Sequence, residues 1–222
     1  VALLLAEQAL LLALDDATGT QGMTWAGDAG LAAALLLDLG ERDLLRVDDG
    51  ELTAVDGPAP EHPVLRDAYQ ALRTSDRRHD AKGWVDRLQR DLKPLPERLA
   101  RGLVERGVLT EQRTKVLGLF PTTRFPQADP EPERELRARL HEVLVTGRAP
   151  SEEEALLIGL LEPLDLVGGV VPKEHRRAAR TRAQEIGEQG VAGTAVRQAV
   201  QEVQAAVITA AVIVPAVTTT LS

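Results

Sequence analysis

Residues 3–14 read Leu3-Leu4-Leu5-Ala6-Glu7-Gln8-Ala9-Leu10-Leu11-Leu12-Ala13-Leu14. Apart from Glu7 and Gln8 this stretch is apolar on every side, the pattern of a helix buried all round instead of one lying on a surface. A helix of that kind needs other helices to cover it, so the stretch predicts an all-α fold: a bundle of amphipathic helices around a buried central helix. No basic segment precedes it, and Glu7, Asp15 and Asp16 interrupt the apolar run, so it reads as core and not as a signal peptide.

The chain that follows supplies the cover. Asp15 to Gly19 stops the first helix, Gly22 to Asp28 around Trp25 reads as a loop, and Ala29 to Leu39 forms a second apolar helix. Leu44–Val47 and Glu51–Val55 flank Asp48-Asp49-Gly50, a hairpin signal. Val64–Leu72 and Gly83–Leu92 are amphipathic helices joined by the charged stretch Thr74–Lys82. Pro96-Glu97 opens the next helix, which runs to Gly107, and a second hairpin is expected to turn on Pro121-Thr122-Thr123-Arg124. Glu133–Thr146 and Ser151–Leu161 are helical, with Ser151 and Glu154 forming a capping box. Gly187, Gly190 and Gly193 read as a flexible connector. Val196, Ala199, Val203, Val207, Ala210 and Val214 then lay a last stripe into the core before Pro215. One domain over residues 1–222 is expected, built as a bundle with one or two small β-hairpins.

Composition narrows the function. The chain has 222 residues, 44% of them hydrophobic, a formal charge of −8 and no cysteine. Disulfides, thiolate metal sites and thiol nucleophiles are excluded, and a cytoplasmic location is the default. Ser75, Ser151 and Ser222 lie in no nucleophile elbow, and His62, His79, His141 and His175 stand apart without metal-ligand spacing. No enzyme, metal or cofactor is expected. Charge is two-sided: residues 1–60 carry Arg42 and Arg46 as their only bases amid many acids, while residues 86–125 hold nine bases against five acids. Arginine far outnumbers lysine, as in proteins from GC-rich, chiefly bacterial, genomes.

Three segments carry a family resemblance. Leu4–Gly19, then Glu97-Arg98-Leu99-Ala100-Arg101-Gly102-Leu103-Val104-Glu105-Arg106-Gly107-Val108-Leu109-Thr110, then Leu119-Phe120-Pro121-Thr122-Thr123 resemble the Golgi phosphoprotein 3 family in order and spacing. The resemblance implies a helical bundle with a hairpin that touches membrane, and a pocket for phosphatidylinositol 4-phosphate. Carried over, Trp25 and Lys93 match pocket residues, and Arg98 stands beside them. Ala32 and Pro96 occupy two positions where the family has bases, so two of three cationic groups are missing. Phe120, Arg124 and Phe125 are the candidate membrane-contacting hairpin, with the alternative that both rings turn inward.

The resemblance therefore implies a peripheral membrane protein on the inner face of a membrane. It would bind anionic phospholipid headgroups, act as an adaptor and hold cytoplasmic tails of membrane proteins. The alternative is a helical protein–protein interaction module that has lost lipid binding. A nucleic-acid reading, in which Glu97 to Phe125 imitates a winged helix, is opposed by the negative charge and by the interleaved Glu97, Glu105 and Glu111.

Overall fold

A computed structural model describes residues 2–14, 25–116 and 120–189, with backbone alone at 25–27, 114–116, 120–122 and 188–189. Helix α1 (Leu5–Ala13) is buried at every residue, Glu7 and Gln8 included. It packs against α2 (Trp25–Gly40), α5 (Leu95–Glu105), α6 (Glu131–His141) and α7 (Glu152–Leu161). Around this centre lie α3 (Pro63–Arg73), α4 (Ala81–Asp91), the short turn α8 (Val167–Val170) and α9 (Arg176–Gln189). The buried side chains form one cluster running from Leu4 to Ile186.

A helix enclosed on all sides cannot leave its terminal N–H groups to solvent. In α1 they go to carboxylates. Leu4 N–H donates to Glu7 Oε2 at 2.9 Å, while Leu5 and Ala6 donate to the two oxygens of Asp38 in α2 at 3.0 and 3.2 Å. Glu7 in turn receives the Arg106 guanidinium and lies 3.3 Å from His62 Nε2. Burial alone would raise the Glu7 carboxyl, but the His62 and Leu4 bonds and the Arg106 charge together hold it below its usual value. Among the described residues Asp38 has only the two backbone donors and a longer contact to Arg42, and burial pushes its carboxyl up to about 7.

Elsewhere the sequence signals have direct structural counterparts. Strands β1 (Leu45–Asp48) and β2 (Glu51–Ala54) pair antiparallel across Asp49 (φ 50°) and Gly50 (φ 79°), the two positive-φ positions of a tight hairpin turn. Helix α5 ends on Gly107 (φ 76°). Val108 N–H bonds Leu103 C=O and Gly107 N–H bonds Val104 C=O, both at 2.9 Å, a Schellman closure with Val108 turned into the core. The Ser151–Glu154 box caps α7, and Arg148 grips the same Glu154 carboxylate through two nitrogens at 2.7 and 3.1 Å. Tyr69 clamps the link after β2, its hydroxyl donating to Val55 C=O at 2.8 Å and accepting from Gly57 N–H at 3.0 Å.

Several boundaries differ from expectation. Helix α2 begins at Trp25, so Trp25–Asp28 is its first turn and not loop. Helix α5 begins at Leu95, one residue before the expected Pro96, because proline suits the first turn as well as it would the first position. After α6 the helix widens into a π-helical turn, Glu142–Thr146, closed by Gly147 (φ 81°). Gly187 belongs to α9 instead of a connector. In the second hairpin β3 (Gln112–Val116) pairs with β4 (Phe120–Arg124), so the expected turn Pro121–Arg124 is strand. Thr122 and Thr123 are β-branched and suit a strand, and Pro121 is tolerated because both strands of a two-stranded sheet are edges. The expected stop at 15–19 and the C-terminal stripe at 196–214 lie outside the described residues.

Two outcomes follow from these contacts. The folded state holds a proton on Asp38 between pH 3.8, the ordinary carboxylate value, and about 7, where the unfolded chain does not. Stability contributed by this group therefore falls as pH rises through that window. Asp28 and Glu41, also raised by burial, push the same way, whereas Glu7 acts only in more acidic solution. Thermal unfolding from pH 5 to 8 should show the parent losing stability more steeply than Asp38→Asn; equal slopes would contradict the assignment. Tyr69→Phe, which removes two part-buried hydrogen bonds to the Val55–Gly57 link, should lower urea stability by about 0.5–1.5 kcal/mol.

Candidate functional site

The first turn of α2 and the junction between α4 and α5 form the candidate site. Trp25 opens α2, and Asp28 lies one turn further along the same face. Burial raises the Asp28 carboxyl, opposed by the charge of Lys93. That coupling brings the start of α2 and the exposed Lys93 into one neighbourhood. Lys93 makes no ion pair within 4 Å among the described residues, so Asp28 is a neighbouring charge and not a locked partner. The side chain of Trp25 lies outside the described residues. Beside this turn Leu164 packs so closely on Gly30 that a Cβ there would meet its Cδ1 at 2.5 Å.

The positions where the resemblance expects two further bases are closed. Ala32 is fully buried in α2, and Pro96 is buried in the first turn of α5. Neither place could carry a hydrated guanidinium without opening the core. The start of α5 is also a poorer phosphate cradle than a typical helix end. Of the four donors a helix start leaves free, those of Pro94 and Pro96 do not exist, and Leu95 and Glu97 supply the other two.

Arg98 points elsewhere. Its guanidinium binds Asp67 of α3 and lines a cleft of about 380 Å3 with His62, Arg101 and Arg106. Each arginine of that cleft already faces a carboxylate: Arg101 has Glu97 at 3.3 Å and Glu111 at 3.7 Å, and Arg106 has the buried Glu7. The structure thus joins Trp25's helix end with Lys93 and sends Arg98 to α3.

The hairpin residues also separate. Phe125 follows β4 and is 5% exposed within the core cluster, so it covers the bundle and cannot be a membrane contact. It anchors the hairpin base, where Thr110 N–H bonds Pro126 C=O at 2.9 Å. Arg124 is half-buried opposite Gln112 at that same base, away from the turn. Phe120 pairs with Val116 at the end nearest the turn; its side chain and residues 117–119 are outside the described residues.

Asp28 is the residue the sequence reading missed. Its signal was an acid one helical turn after Trp25, hidden by the glycines that made Gly22–Asp28 look like loop. Among the described residues no helix is long and apolar enough to cross a membrane, and no three His, Asp or Glu side chains group as metal ligands. The sequence model of the Golgi phosphoprotein 3 (GPP34) family matches residues 5–203, most of the chain, and the protein belongs to that family.

Proposed function

We propose that the protein binds the anionic headgroup of a phospholipid at a membrane surface and serves there as an adaptor, as a peripheral and non-enzymatic member of its family. Adaptor and lipid-binding roles belong to the family as a whole. The observation that carries the reading to this chain is the electrostatic coupling of Lys93 to the first turn of α2, the turn that Trp25 opens.

In this reading Lys93 takes a phosphate oxygen and Trp25 supplies an amphipathic ring at headgroup depth. Leu95 and Glu97 N–H add the positive end of α5. Phe120, next to the hairpin turn, adds an apolar contact with the lipid, while Arg124 and Phe125 hold the hairpin base. With Ala32 and Pro96 in place of bases, one cation remains where three would converge. Binding is accordingly weaker and more salt-sensitive than a three-cation pocket would give. Asp28 opposes the ligand by repulsion and by sharing the field of Lys93.

Flotation with vesicles of phosphatidylcholine alone, or with added phosphatidylinositol or phosphatidylinositol 4-phosphate, tests this. The parent should float with the phosphorylated lipid; Lys93→Ala should weaken binding roughly tenfold, the loss of one charge-assisted contact of about 1.5 kcal/mol, and Trp25→Ala should also lower the bound fraction. Arg98→Ala should float like the parent, and Asp28→Asn should float better. A parent that stays at the bottom of the gradient with every vesicle would overturn the lipid reading.

A further inference from the structure

The loop between α3 and α4 gathers arginines that headgroup binding at Lys93 leaves unused. Arg73 ends α3, Arg77 and Arg78 follow in the loop, and Arg87 lies in the second turn of α4. Ser75 stands among them. Its hydroxyl oxygen accepts from Arg87 Nη1 at 2.7 Å and from Arg77 N–H at 3.2 Å, and its proton goes to Arg77 C=O at 2.7 Å.

Arg87 is held in place and braces Ser75. Its guanidinium lies 5.3 Å above the Trp84 ring, and Trp84, 2% exposed, is itself fixed by Nε1 donating to Leu52 C=O at 2.9 Å. A cleft of about 300 Å3 opens at this point between β2 and the loop, with Trp84 at its floor and Ser75, Arg77 and Arg78 on its wall. That volume is at the small end of ligand clefts, which run from about 300 to 1,000 Å3.

The carboxylates paired with these arginines lie at the surface. Asp56 faces Arg73 at 3.1 Å with its side chain 93% exposed, Glu51 is 3.7 Å from Arg78, and Asp91 is 3.2 Å from Arg87. These are solvent-exposed pairs of the kind that hold weakly. Arg77 makes no ion pair among the described residues. Three guanidinium groups, those of Arg73, Arg77 and Arg78, thus line the cleft with one carboxylate, Asp56, while Asp76 and Asp80 stand elsewhere in the loop, Asp80 accepting from Gly83 N–H as the cap of α4. A tetrahedral oxyanion with several acceptor oxygens can take N–H groups from Arg73, Arg77 and Arg78 together, which separate monocarboxylates at the rim cannot do.

We propose that this cleft is a second anion site that binds a phosphate monoester through Arg73, Arg77 and Arg78. The phosphate comes either from a soluble monoester or from a phosphorylated lipid headgroup. The site is independent of Lys93.

Trp84 supplies the readout. In a Trp25→Phe background it is the sole tryptophan, and titration with inorganic phosphate and then glycerol 3-phosphate should change its fluorescence saturably. The double variant Arg77→Gln/Arg78→Gln, both exposed positions, should weaken that binding at least about tenfold without altering thermal unfolding. Lys93→Ala should leave it unchanged, which separates this site from the headgroup site. No saturable change with either probe, or the same midpoint in parent and double variant, overturns the proposal. Where phosphate does bind, loss of flotation on phosphatidylinositol 4-phosphate vesicles in the double variant supports a lipid source, and retained flotation supports a soluble one.

Discussion

The N-terminal amides of α1 have nowhere to go but protein carboxylates, and the arrangement of the bundle follows from that. Asp38 ties α1 to α2 through the Leu5 and Ala6 amides, and Glu7 ties it to α3 through His62 and to α5 through Arg106. Four helices are thereby fixed by two buried acids. Such acids are costly to bury, and removing one partner from a buried pair costs about 3–5 kcal/mol, so the geometry is tightly specified. The apolar cluster provides the bulk of the stabilisation, and these polar ties select one packing of it.

Much of the fold is legible in the sequence where a local signal has one physical meaning. Leu3–Leu14 can only be buried, Asp49-Gly50 can only turn tightly, and Ser151 with Glu154 caps a helix wherever it stands. The failures fall where a residue type serves two ends. Gly22–Asp28 is equally good as loop and as an uncapped helix start, and Pro121 is a turn residue in most settings but is allowed on an edge strand. Phe125 illustrates the same limit for the site: an aromatic beside an arginine suits a membrane tip and a core equally, and its 5% exposure decides for the core. The nearness of Asp28 to Lys93 joins positions far apart in the chain, and no periodicity reports it.

Charge was the most misleading sequence quantity. The basic excess of residues 86–125 suggests one open cationic face, yet in three dimensions Arg98, Arg101 and Arg106 are each spent on Asp67, Glu97 or Glu7. Among the described residues Lys93 is left as a cation without a close partner, and Arg77 and Arg78 lie in a stretch, Thr74–Lys82, that reads simply as too charged to be core. An anionic surface or ligand would meet these unsatisfied groups and not the count of bases.

The enclosure of α1 bears on how the chain reaches this state during synthesis. Gln8 finds its side-chain partner Glu153 145 residues later, and Glu7 waits 99 residues for Arg106. At about 5–20 residues per second, translation of that interval takes on the order of ten seconds. Throughout it a nearly continuous apolar segment lacks part of its cover, α6 and α7 being made last, a natural client for a chaperone that binds hydrophobic chain. The contact that fixes the finished bundle is thus among the last to form, although half of it is made first.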